Sequence, residues 1–150
     1  VGLKGAHGIF ASMTAKLTKA KKGKIYDVLE RTGLLDQAFE KVSSLSHGQK
    51  QWVEIAMVLA QDPSVVLLDE PTAGMTAEET FATGEIIKSI AKAHSIVVIE
   101  HDMEFVKQIA ERIVVLHQGA VLAEGSVQEI QSNPKVIEVY LGRETINAAA

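Results

Sequence analysis

The sequence contains no cysteine, which excludes a disulfide framework and a thiolate metal site and fits a reducing compartment. No apolar run approaches the ~18 residues of a membrane span. Val65–Leu68, Ile96–Ile99 and Ile113–Leu116 are runs of four residues each. The N-terminal VGLKGAHGIF lacks the ordered charged, apolar and small-residue regions of a secretory signal. An excess of positive charge is missing as well: the net charge of −4 gives no basis for non-specific binding to nucleic acid or anionic lipid. There is no internal repeat, and no polar low-complexity tract apart from a short Ala-rich tail. A cytoplasmic protein is the expectation. What is present is a globular composition over 150 residues, one domain's length, enough to bury roughly two-thirds of the unfolded surface.

The chain changes character near Leu45. Before it, Ile9, Phe10, Met13 and Leu17, then Ile25, Val28, Leu29, Leu34 and Leu35, recur at helical spacing. Gly23 is expected to separate two helices and Gly33 to stop the second. The run Lys16, Lys19, Lys21, Lys22 and Lys24 reads as a solvated helix end. After Leu45, short β-branched runs alternate with helices, as in an α/β fold with a parallel sheet. Buried strands are expected at Ser64–Leu68 and Ser95–Ile99. Helices are expected after the N-caps Ser46, Thr76, Asp102 and Ser126, with capping boxes completed by Glu79 and Glu129. Arg112–Leu116 and Ala120–Ala123 read as a hairpin around Gln118–Gly119, and Val136–Leu141 as a last helix.

Three segments carry chemistry. In Val65–Val66–Leu67–Leu68–Asp69–Glu70–Pro71 a hydrophobic strand ends in two carboxylates, and open α/β sheets bind ligands beyond the carboxyl ends of their strands. Asp69 there suits a Mg²⁺ ion, held through water, and Glu70 suits the orientation of an attacking water. Leu45–Ser46–His47–Gly48–Gln49 opens a helix, and a helix start with free N–H groups attracts anions. Ile96–Val97–Val98–Ile99–Glu100–His101–Asp102 puts His101 at the end of a second strand. That places it beside Asp69 and Glu70 if the strands are neighbours. Taken singly, each has an ordinary alternative: a solvated strand end or a capped helix.

In this order and spacing the three segments resemble the ABC ATPase family over nearly the whole chain. The resemblance implies a P-loop NTPase α/β fold with a mostly parallel sheet and a C-terminal hairpin. Residues 1–44 correspond to the later part of the helical subdomain, 45–141 to the C-terminal part of the ATPase core, and 142–150 to a tail. It implies that Asp69 is the Mg²⁺-side Walker B aspartate, Glu70 the catalytic glutamate and His101 the switch histidine. Ser46, His47, Gly48 and Gln49 would be the signature residues that touch ATP held by a second ATPase subunit. The implied partners are that subunit and the transmembrane permease subunits, at the cytoplasmic face of the inner membrane. Ser46–Trp52, the Glu100–Val106 stretch and Glu138–Gly142 resemble the urea, short-chain amide and branched-chain amino acid uptake ATPases.

The departures from the family pattern are as informative. No G-x-x-x-x-G-K-[ST] phosphate loop occurs in these 150 residues. His47 replaces the first glycine of the usual LSGGQ, narrowing the allowed backbone angles, and Thr76 stands where many relatives have aspartate. A C-terminal piece of a larger ATPase, itself inactive, is therefore expected, with a naturally short non-catalytic partner-binding module as the alternative. A DNA-repair or chromosome-organising relative would need long coiled-coil heptads, which are missing. By the same resemblance, the strand leading into the phosphate loop belongs between the His101 strand and the Arg112–Leu116 strand. With that strand missing, either the hairpin is expected to slide across to pair with the His101 strand, or another copy fills the gap through exposed strand edges.

Overall fold

A computed structural model describes residues 18–139. The helix expected around residues 9–17 and the tail from 142 lie outside the described residues. The elements run α1 (Lys19–Arg31), a 3-10 turn (Val42–Ser44), α2 (His47–Leu59), β1 (Val65–Asp69), α3 (Ala77–Ala91), β2 (Ser95–Ile99), α4 (Met103–Ile109), β3 (Ile113–His117), β4 (Ala120–Gly125) and α5 (Val127–Ser132). Helical backbone resumes over residues 134–139. The chain forms two compact units, 1–105 and 106–150.

In the first unit, β1 and β2 pair in parallel with Val65 opposite Ser95 and Asp69 opposite Ile99. The core gathers Val28 and Leu34 with Ile55, Ala56 and Leu59 of α2, Val66 of β1, and Ile86 and Ile90 of α3, and Leu68, Ile96 and Trp52 pack against it. Spacings of three and four residues put each helix's contribution on one stripe. Gly23 does not separate two helices: it lies within α1, whose N-cap is Thr18. One isolated glycine costs a helix about 1 kcal/mol, which the buried Val28 side offsets. Gly33, at φ +69°, ends the helix region as expected, and the buried Thr32 hydroxyl donates to the Val28 carbonyl at 2.9 Å.

The expectation of buried strands holds for one face only. Val66 is buried, whereas Val65, Leu67, Val97 and Ile99 on the opposite face are 53%, 74%, 51% and 62% exposed. A parallel sheet with apolar residues on both faces is ordinarily covered on both, and composition does not say which residues supply the cover. Among the described residues, no strand pairs with the outer edge of β2.

The second unit holds the hairpin, and here the first of the two expected alternatives is not met. The hairpin does not slide across to β2: β3 and β4 form a separate two-stranded antiparallel sheet. Its turn, Gln118 and Gly119, has φ of 50° and 78°, the two positive values that favour a two-residue hairpin. Local pairing closes a two-residue loop, whereas pairing with β2 would order a longer one. Arg112 and Glu124 face each other across this hairpin as an ion pair. Ser126 and Glu129 form the expected capping box of α5.

Candidate functional site

Two clusters form in the first unit, one at the strand ends and one at the helix starts. The parallel register brings Glu70 and Glu100 off the ends of adjacent strands. The Glu70 N–H donates to the Ile99 carbonyl at 2.9 Å, and the Glu70 carbonyl accepts from the Ala73 N–H at 3.1 Å. Glu70 has φ +44°, a left-handed conformation that costs a non-glycine residue about 1–2 kcal/mol. Strain of this kind persists where surrounding contacts over-determine the backbone.

The Glu100 carboxylate, with its side chain 2% exposed, anchors the cluster. One oxygen accepts from the Thr72 hydroxyl at 2.5 Å and the Thr72 N–H at 3.4 Å, and the other accepts from the His101 N–H at 3.1 Å. A buried carboxylate needs such partners, since an unpaired one is expensive. His101 Nδ1 then lies 3.3 Å from the Glu70 carboxylate and 3.9 Å from that of Glu100. The His101 and Glu70 side chains are 78% and 53% exposed, so the pair faces solvent and its attraction is screened. Asp69 ends β1 on the open sheet face with Leu67. Among the described residues, no three acidic or histidine side chains are grouped to hold a metal.

The second cluster joins the N-termini of α2 and α3. Ser46 Oγ accepts from the Gln49 N–H at 3.1 Å, and the Gln49 side-chain oxygen accepts from the Ser46 N–H at 3.0 Å. Thr76 and Glu79 repeat this exchange at 3.2 and 3.1 Å. Each box satisfies two otherwise orphaned donors. Glu79 also reaches the other helix: its Oε1 accepts from the Ser46 hydroxyl at 2.7 Å and the Gly48 N–H at 3.3 Å. These bonds hold the Glu79 carboxyl below the ordinary glutamate value, the Ser46 hydroxyl being the largest cause. A Cβ on Gly48 would sit 2.7 Å from the Glu79 carboxyl carbon, so only glycine lets that carboxylate lie across the helix start.

His47 needs no unusual backbone angle, because it is the first residue of α2 rather than part of a turn. Its Nε2 lies 3.0 Å from the Ala73 carbonyl, and since a carbonyl only accepts, this nitrogen carries the proton. Gly74, at φ +72°, packs beneath the ring. Deeper in, the Trp52 indole N–H donates to the fully buried Thr83 hydroxyl at 2.8 Å, which donates to the Glu79 carbonyl at 2.8 Å. Sequence reasoning missed Glu100 as an anchor and read Glu79 as a local cap only. The Ser46–Glu79 bond spans 33 residues, beyond the reach of any capping pattern.

The chain also matches known protein families and relatives. The family described as ABC transporter matches residues 3–73, and the branched-chain amino acid ATP-binding cassette transporter family matches residues 120–145. The high-affinity branched-chain amino acid transport ATP-binding protein LivG of Salmonella typhimurium is 43% identical over 116 residues, 76% of this chain and 46% of that protein. The corresponding BraF protein of Pseudomonas aeruginosa is 40% identical over 116 residues, with the same coverage. The methionine import ATP-binding protein MetN of Streptococcus pneumoniae is 40% identical over 129 residues, 84% of this chain and 36% of that protein. A crystal structure of an ABC-transporter ATP-binding cassette in its ADP conformation superposes with a TM-score of 0.73 at 26% identity, covering 93% of this chain and 58% of that one. The chain belongs to the ABC transporter ATP-binding family, with a P-loop NTPase α/β fold. Its matches include branched-chain amino acid transport ATPases, and it spans about half the length of LivG.

Proposed function

We propose that this chain is the C-terminal part of the ATP-binding, ATP-hydrolysing subunit of an ABC importer, a subunit working at the cytoplasmic face of the membrane with permease subunits and a second ATPase subunit. The carrying observation is the meeting of Glu70 and His101 at 3.3 Å beyond adjacent parallel strands. Glu70 orients the attacking water and takes its proton, while His101 holds Glu70 in place and stabilises charge on the transferring group. Asp69 would hold the Mg²⁺ of the bound nucleotide, an ion that would supply charge neutralisation. Ser46, His47, Gly48 and Gln49 present the start of α2 to a nucleotide carried by the second subunit. Relatives named for branched-chain amino acid transport favour that solute class. His47 and the Ala73–Thr76 segment resemble the urea and short-chain amide ATPases, which makes those amides the second reading. Apolar side chains on the open face of β1–β2 favour self-association of this chain in isolation.

The test is Glu70→Gln in the complete subunit, which keeps size and hydrogen-bonding capacity but removes the charge. Hydrolysis falls more than tenfold while ATP binding persists and a long-lived ATP-bound dimer accumulates. Retention of more than a tenth of wild-type turnover would remove Glu70 from the catalytic role. The chain by itself, without a phosphate loop, binds MgATP weakly by calorimetry and turns none over.

A further inference from the structure

We propose that Glu79 governs access to the phosphate-facing start of α2 by holding the hydroxyl proton of Ser46 until it is displaced. The inference rests on the reading of Ser46 and Gly48 as phosphate-facing residues.

A serine hydroxyl has one proton to donate. Ser46 Oγ accepts from the Gln49 N–H at 3.1 Å and lies 2.7 Å from Glu79 Oε1. An ionised carboxylate only accepts, so the Ser46 proton points at Glu79, and the Gly48 N–H is engaged by the same oxygen at 3.3 Å. The lowered pKa of Glu79 keeps it ionised at neutral pH. In this arrangement Ser46 has nothing left to donate to a phosphate oxygen, and a negative charge sits where one would approach. Release costs no helix: Gln49 still caps α2, and Glu79 Oε2 still accepts from the Thr76 N–H at 3.1 Å. The same side chain ties Ser46 to the turn of residues 73–76, which hydrogen-bonds back to the Glu70 carbonyl through the Ala73 N–H. Glu79 is thus a positioning residue and an internal competitor for the phosphate, acting through Ser46 and Gly48.

The experiment measures steady-state ATP hydrolysis by the complete subunit assembled with its permease. Glu79→Gln keeps the side chain's size but weakens a charge-assisted hydrogen bond to a neutral one. The apparent KM for ATP therefore falls about three- to tenfold, with kcat within about twofold. Glu78→Gln removes the same unit of charge from an exposed neighbour and leaves KM within about twofold. Should Glu79→Gln fold poorly, Glu79→Asp keeps the charge but draws it away from Ser46 by one methylene, and KM falls in the same direction. An unchanged or raised KM in the variant that folds, while Ser46→Ala raises KM, overturns the proposal and leaves the phosphate-facing role of Ser46 standing. If Ser46→Ala leaves KM unchanged, that role fails, and the proposal fails with it.

Discussion

The strand-end and helix-start clusters are built from similar groups, yet one is open and the other closed. At the strand ends, Glu70 and His101 are more than half exposed and share one contact at 3.3 Å, and Glu70 sits on a strained backbone. At the helix starts, Ser46, Gln49, Thr76 and Glu79 exchange reciprocal bonds with each other. The difference teaches that the helix starts are satisfied by one another as they stand, whereas the strand ends leave a strained backbone and solvent-facing polar groups that capping does not account for. Substitutions should therefore separate: removing the strand-end side chains acts chiefly on kcat, whereas helix-start changes act on stability and on the KM for ATP.

The largest expected effect is His101→Ala in the complete subunit. Turnover falls by about a hundredfold, while stability in chemical denaturation moves by less than about 0.5 kcal/mol. A destabilisation comparable to a core change would break the comparison. Next comes Trp52→Phe in this chain, which leaves the buried Thr83 hydroxyl without its indole donor. Unfolding free energy drops by about 1–3 kcal/mol, measured as a shift of the urea midpoint. Third, Glu70→Gly relieves the left-handed backbone and raises stability by up to about 1 kcal/mol in the same assay. An unchanged or lower value would show that the strain is not stored there.

The smallest effect is on pH dependence. Glu79 and Glu129 both have folded pKa values below the ordinary glutamate value, Glu79 held chiefly by Ser46 and Glu129 by the Ser126 N–H. A depressed carboxyl contributes stability that is complete above the unfolded value and is lost as pH falls through the folded one. The thermal midpoint therefore declines on the acid side of the glutamate range and is flat near neutrality. Glu79→Gln makes that decline shallower, and an unaltered slope would count against the assigned partners.

Much of the local structure was legible from particular residues. Ser46, Thr76 and Ser126 announce their helices because capping is a three-residue interaction, and Gln118–Gly119 announces its hairpin because two positive φ angles close it. Glu70 and His101 were legible as neighbours because adjacent parallel strands that end in polar residues bring those residues together at their carboxyl ends. Gly23 misled, since a lone glycine is a weak breaker whose cost packing overrides.

Sequence alone determined the elements, their caps and the residue types at the strand ends, since all of these are set by interactions over a few positions. Only the tertiary structure decided what lies far apart in the chain. It brought Glu70 to within 3.3 Å of His101 and carried the Glu79 carboxylate across 33 residues to Ser46. It also decided which face of β1 and β2 is covered: Val66 faces the core while Leu67 stands exposed. Both residues are apolar, and a period of two separates the faces of a strand without saying which one the helices will meet.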